Sequence, residues 1–205
     1  MSFFAFLIAA IVLAITPGPG LAYVVARTVA GGRSEGLASC LGTAIGGMFH
    51  VLAAATGLSV LVAQSATAFN IVKYVGAVYL VYLGIRLLLQ KDGQANPLNV
   101  AAQGPRRALR DGVVVEFLNI KTALFFLAFL PQFISPAEPV VPQLVLLGTT
   151  CVVLNTLVDI AAVLWSARLL ASSSLRAARA RLLRRVSGAT MVTLGAVLAL
   201  TKRDV

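Results

Sequence analysis

Residues 16–20 read Thr16-Pro17-Gly18-Pro19-Gly20, and they stand inside an otherwise apolar run, SFFAFLIAAIVLAITPGPGLAYVVA. No charge occurs between Met1 and Ala26, and about 20 apolar residues suffice to cross a bilayer. Proline removes a backbone donor and clashes with the turn before it, while glycine weakens a helix by about 1 kcal/mol. In lipid the backbone must satisfy its own polar groups. Four consecutive Pro and Gly residues therefore predict a membrane helix broken where no water can satisfy the freed carbonyls.

The composition agrees with a membrane setting. The chain has 205 residues, 59% of them hydrophobic and 12% charged, with a mean hydropathy of +0.93. A soluble domain carries about 25% charged residues. No segment alternates polar and apolar residues as a barrel strand does, so the spans are expected to be helices. A net charge of +10 would suggest nucleic acid in a soluble protein. Here the basic residues cluster in two connecting segments, which reads as topology, and no nucleic-acid partner is expected. The first run lacks a Lys or Arg before it and outlasts a signal core, so it is expected to stay as the first helix. Cys40 and Cys151 show no metal-binding spacing and read as buried structural thiols; no metal or cofactor is expected.

Six apolar segments can be marked, at roughly 3–26, 37–63, 70–89, 112–134, 142–168 and 186–201. They form a single membrane domain, 1–205, in which a polar linker at 91–111 separates a first three-helix half (1–90) from a second (112–205). Loops one, three and five carry thirteen Lys/Arg residues, and the opposite side carries three. The positive-inside rule then places the odd loops in the cytoplasm and both termini in the periplasm. The arginine-rich fifth loop, SSSLRAARARLLRR, reads as an anchor on anionic headgroups. Three crossings per half mean that the second half is inverted relative to the first. Inverted repeats with interrupted helices at matching positions are a common transporter plan.

Within the spans the polar residues are few. Pro17 and Pro19 free the carbonyls of Leu13 and Ile15, and beyond them Gly18, Gly20 and Leu21 offer N–H groups at the positive end of a new half-helix. Such an end suits a carboxylate. Glu116, Lys121 and Asp159 are ionisable groups in apolar runs, where each costs at least about 2.5–3.5 kcal/mol unless it faces a cavity or a partner. Glu116 and Asn119 share a helical face. Asp159 and Lys121, isolated and opposite in charge, are expected to pair. Asn155 lies one turn from Asp159 and serves equally as a helix-to-helix hydrogen bonder or a site residue. His50 is a candidate proton relay or a packing hydrogen bonder, and the glycines of Gly42-Thr43-Ala44-Ile45-Gly46-Gly47 are explained by close helix packing.

These stretches, taken in order, resemble a known family. TPGPG, GGRSEGLAS, GTAIGGMFH, KYVGAVYLVYLGIRLLL, FLNIKTALFFLAFLPQF and NTLVDIAAVLW together are similar to the bacterial lysine exporter superfamily, in its homoserine/threonine exporter branch. The resemblance covers essentially the whole chain. It implies a six-span inner-membrane protein that exports amino acids or related metabolites using the proton gradient. Two positions depart from the family pattern. Ile120 stands where the span-four motif has proline, which leaves open whether span four is interrupted. Glu116 stands where an asparagine is common, which leaves open the charge preferred in the substrate.

The expected protein is thus an all-α exporter, not an enzyme, working by alternating access of its two inverted halves. Its substrate-binding residues would be Thr16, Pro17, Gly18, Pro19, Gly20, Glu116, Asn119, Lys121 and Asp159, with Asp159 and His50 as proton-coupling candidates. The substrate carboxylate would meet the half-helix end and Lys121, and the ammonium would meet Asp159 or Glu116. Expected partners are an amino acid, protons and membrane lipids, with a homodimer left open. The rival is a transmembrane thiol–disulfide electron carrier, which needs Cys40 and Cys151 to act together.

Overall fold

In the computed structural model the described residues are 3–58, 66–89, 101–135 and 137–169, with short helical pieces between 182 and 200. The linker residues 90–100, the anchor expected in the fifth loop, and much of the sixth expected span lie outside them. Every regular element among the described residues is helical. The elements are α1 (Phe3–Ile15), α2 (Pro19–Ala53), α3 (Ala66–Leu89), α4 (Pro105–Phe117), α5 (Ile120–Leu124) and α6 (Val140–Leu169). A π-helical turn, Ala54–Leu58, extends α2, and α5 runs on through Phe125–Phe129 and Leu130–Phe133.

By length and composition two helical stretches can cross a membrane, Pro19–Gly57 and Val140–Trp165. A third is counted if Pro105–Phe117 and Ile120–Phe133, bent by 42°, make one span. The surface suits lipid. On α1, Phe6, Ala10, Leu13 and Ala14 face inward, while Phe3, Phe4, Ile8, Ile11 and Ile15 stand exposed on the other side. On α6, Val145, Leu146, Val153, Leu157 and Trp165 do the same. An apolar surface this extensive marks contact with something other than water.

The break in α1–α2 falls where the prolines and glycines place it, with Thr16–Gly18 outside both helices. A second interruption lies inside α2, at Gly31 and Gly32, the latter at φ 72°. Left-handed backbone there favours glycine. The chain folds back at this point, because a side chain on Gly36 would collide with Thr28 Oγ1. In a straight helix those positions would stand about 12 Å apart along the axis. The outgoing limb, 19–30, and the returning limb, 33–53, therefore fall in the first and second expected spans.

Span four is interrupted even without proline. Leu118 and Asn119 leave the helix, and the Asn119 side chain caps α5 by accepting from the Lys121 N–H. An asparagine N-cap satisfies one of the donors a helix start leaves open, so the break rests on a cap in place of the ring. The returning limb packs on α4 backbone to backbone, since side chains at Gly42 and Gly46 would meet the carbonyls of Leu109 and Val113. Small residues allow such an approach where no hydrophobic force drives helices together in lipid. A separate apolar core joins Phe6 and Leu13 of α1 to Phe125, Phe126, Phe129 and Leu144.

Candidate functional site

The two breaks lie against one another, and span four supplies the charges that complete span one. Lys121, 7% exposed, donates from Nζ to the carbonyl oxygens of Leu13 (3.1 Å) and Thr16 (2.8 Å). Leu13 is one of the carbonyls that proline frees, and a cation there also meets the negative end of α1. On the far side of the break, the Glu116 carboxylate reaches the first turn of α2, where a side chain on Gly20 would strike its Oε2. A base thus closes one half-helix and an acid faces the start of the next.

Glu116 is itself held firmly. Its Oε1 accepts from Thr122 Oγ1 (2.6 Å) and its Oε2 from Asn119 Nδ2 (2.9 Å). Buried carboxylates are retained when hydrogen bonds and charges compensate lost hydration. His50 does not line the cavity; its Nε2 donates to the Glu116 carbonyl (2.9 Å), binding the second span to the break in the fourth. Asp159 lies across the cavity, where Thr43 Oγ1 approaches both Asp159 Oδ2 and the Cys40 carbonyl at 3.0 Å.

The expected Lys121–Asp159 ion pair is not formed. Among the described residues the ion pairs are Arg27–Glu35, Arg107–Asp111 and Arg110–Asp111. The reason is that two of the three N–H bonds of Lys121 are already committed to backbone carbonyls of the broken span. Gly18 and Gly20 stand beside these charged side chains. Their missing side chains make room for Lys121 and Glu116 of the chain itself.

These groups enclose a cavity of about 20 Å³, room for about one water molecule. Its walls include Gly20, Thr43, Glu116, Asn119, Lys121, Thr122, Asn155 and Asp159. Thr16, Pro17, Gly18 and Pro19 form the break beside it without lining it. Two acids and one base line it. Among the described residues no three His, Cys, Asp or Glu side chains gather as a metal site. Cys40 and Cys151 are free and lie in different apolar clusters, Cys40 with Val24 and Val163, Cys151 with Phe6 and Phe126. They are not a reactive pair, which removes the basis of the electron-carrier reading.

Sequence reasoning passed over Thr43, Thr122, Arg27 and Glu35. Thr43 and Thr122 carry no signal of their own, since threonine is ordinary in membrane helices. Glu35 had one: it is the sole acid before residue 92.

A broken apolar helix pair around a buried, charged cavity is an arrangement that membrane transport proteins use. The LysE type translocator family matches residues 11–202. The chain belongs to that family, and is a multi-pass protein of a bacterial membrane. It is 34% identical over 158 residues to an uncharacterized membrane protein of Vibrio cholerae, with 75% of each chain covered. It is 32% identical over 157 residues to the homoserine/homoserine lactone efflux protein of Salmonella typhimurium, covering 76% of this chain and 75% of that one. The leucine efflux protein of the same organism is 32% identical over 144 residues, covering 68% of this chain and 66% of that one. No solved structure matches the chain significantly.

Proposed function

We propose that the protein exports a small amino acid or amino-acid-like metabolite across the bacterial inner membrane, coupled to protons, by alternating access of two inverted three-helix halves. Relatives named for efflux of homoserine, homoserine lactone and leucine support the direction and the substrate class. The observation that carries the reading is the cavity where the two helix breaks meet, lined by Glu116, Lys121 and Asp159. Irregular backbone at membrane depth is tolerated where it lines such a space. The substrate ammonium is assigned to Asp159 and Glu116. The carboxylate is assigned to the Gly20–Leu21 end of α2 and the remaining Lys121 N–H, with Glu116 moving aside. A cavity of about 20 Å³ holds no amino acid, so loading requires the halves to part.

Proton coupling rests on Asp159. The Thr43 hydroxyl has one proton and two acceptors at 3.0 Å, Asp159 Oδ2 and the Cys40 carbonyl. With Asp159 ionised the two acceptors share that one proton; with Asp159 protonated, its O–H can donate to Thr43 Oγ1 while Thr43 donates to the Cys40 carbonyl, so both bonds are made in full. A proton held there while the cavity is closed, and given up when a substrate ammonium arrives, links the two movements. The six-span count, the inverted repeat and periplasmic termini belong to the same reading, supported by charge distribution and by the paired breaks. The test is export from loaded cells or vesicles across a panel including homoserine and leucine, with and without a proton gradient. Gradient-independent export would sink the coupling; no export of any panel member would sink the substrate class.

A further inference from the structure

Between the cavity and the side bearing Arg33 and the 101–111 segment, buried groups are stacked in layers. On the outgoing limb of α2, Gly20 lines the cavity, followed by Val24 and then Arg27. On the returning limb, Thr43 lines the cavity, with Cys40 and Ser39 a turn away and Glu35 a turn further. Asp159 of α6 is followed one turn on by Val163. The middle layer, Val24, Cys40 and Val163, is apolar and closed, at 0%, 2% and 0% exposure. Above it lie Arg27 and Glu35, whose side chains are 1% and 4% exposed, with Nη1 and Oε2 3.6 Å apart. Both fasten to the segment that leads into α4. Arg27 Nη2 donates to the Ala101 carbonyl (2.9 Å), and Glu35 Oε1 accepts from the N–H groups of Gln103 (2.8 Å) and Gly104 (2.7 Å).

We propose that Arg27 and Glu35, closed on residues 101–104, are the gate residues on the cytoplasmic side of the transport pathway, and that they separate each time substrate enters from that side. The inference rests on the transport reading above. Three observations carry it. The pair closes the two limbs of α2 on each other and on the lead-in to α4, so any movement of that lead-in away from α2 must break its bonds to Ala101, Gln103 and Gly104. It caps an apolar plug that stands directly over the cavity. Its bonding is also incomplete, because Arg27 Nε and Glu35 Oε2 have no hydrogen-bond partner. Buried polar groups in a fixed structure are as a rule all partnered. An ion pair removed from water forfeits hydration that it regains on opening, so closed and open arrangements can lie close in free energy.

Cys40 in the plug reports the gate. In a Cys151→Ala protein it is the sole thiol, and inside-out vesicles present the cytoplasmic face to a membrane-impermeant maleimide. With the gate pair intact, labelling is slow. Glu35→Gln keeps an oxygen for the N–H groups of Gln103 and Gly104 but loses the charge that attracts Arg27. Labelling should then be about tenfold faster, as when a buried group reacts through local opening. Glu35→Asp, too short to reach both partners, is read in the same way. Unchanged labelling in either inserted variant overturns the gate, and so does failure of both variants to insert, which would mark a purely structural pair. The labelling does not depend on substrate identity. Faster labelling in a protein that exports nothing on the panel supports the gate and counts against the efflux reading instead.

Discussion

Lys121 Nζ lies 2.8 Å from the carbonyl oxygen of Thr16, so a cation from the fourth span closes the helix end left open by the Pro-Gly break in the first. The break is therefore a joint between α1 and α5. The Glu116 carboxylate on the opposite side of the break, beside Gly20, makes the arrangement two-sided. Each charge sits at the helix end whose dipole it complements.

Replacing Lys121 by Met should expose this joint. Hydrogen bonds to charged groups contribute about 1.5–3 kcal/mol each, and two are lost while their buried carbonyls remain. Lys121→Met is expected to lose on the order of 3 kcal/mol of stability together with export. Thermal unfolding in detergent checks the first effect and vesicle export the second. A variant as stable as the parent would show that the carbonyls find other donors.

Gly20→Leu should abolish export while the protein still inserts, because the new side chain occupies the place of Glu116 Oε2. Gly18→Ala should be milder. Its added carbon would lie 3.0–3.3 Å from the end of the Lys121 side chain, which can shift by a few tenths of an ångström. Export rates of the two variants at matched membrane levels decide the order; wild-type export by Gly20→Leu would leave the break without a functional role.

Asp159→Asn should fold and bind substrate weakly but fail to export against a gradient driven by protons. Asparagine can still bond to Thr43 Oγ1, donating from Nδ2 or accepting at Oδ1, so the α2–α6 contact survives while the exchangeable proton is gone. The charge-swapped Lys121→Asp/Asp159→Lys protein should stay inactive, since the two side chains do not pair and Lys121 serves the carbonyls of Leu13 and Thr16. Counterflow with and without a pH difference separates binding from coupling. Proton-driven export by Asp159→Asn would assign the coupling elsewhere.

Reporter fusions after Arg110 and after Val205 should report opposite sides of the membrane, the first cytoplasmic and the second periplasmic. Thirteen Lys/Arg residues on one set of loops against three on the other motivate this. The same side for both would rule out six spans.

How much could be read without coordinates follows from the range over which each feature is decided. The helical class, the membrane setting and the break at Thr16–Gly20 are properties of short runs, because apolar length, missing N–H groups and absent Cβ atoms act within a turn or two. That Glu116, Lys121 and Asp159 would each need a partner was equally legible, since an ionisable group in an apolar run must be compensated by something. What compensates it was not legible. Lys121 could satisfy its charge with Asp159 or with the carbonyls of Leu13 and Thr16, and only the packing of span four against span one selects the carbonyls. The break at Asn119 without proline, the fold-back at Gly32, and the Arg27–Glu35 closure over residues 101–104 depend likewise on neighbours distant in sequence. Local chemistry determined which residues needed partners, and tertiary structure decided who the partners are, because in lipid a buried charge takes the nearest group that replaces its lost water.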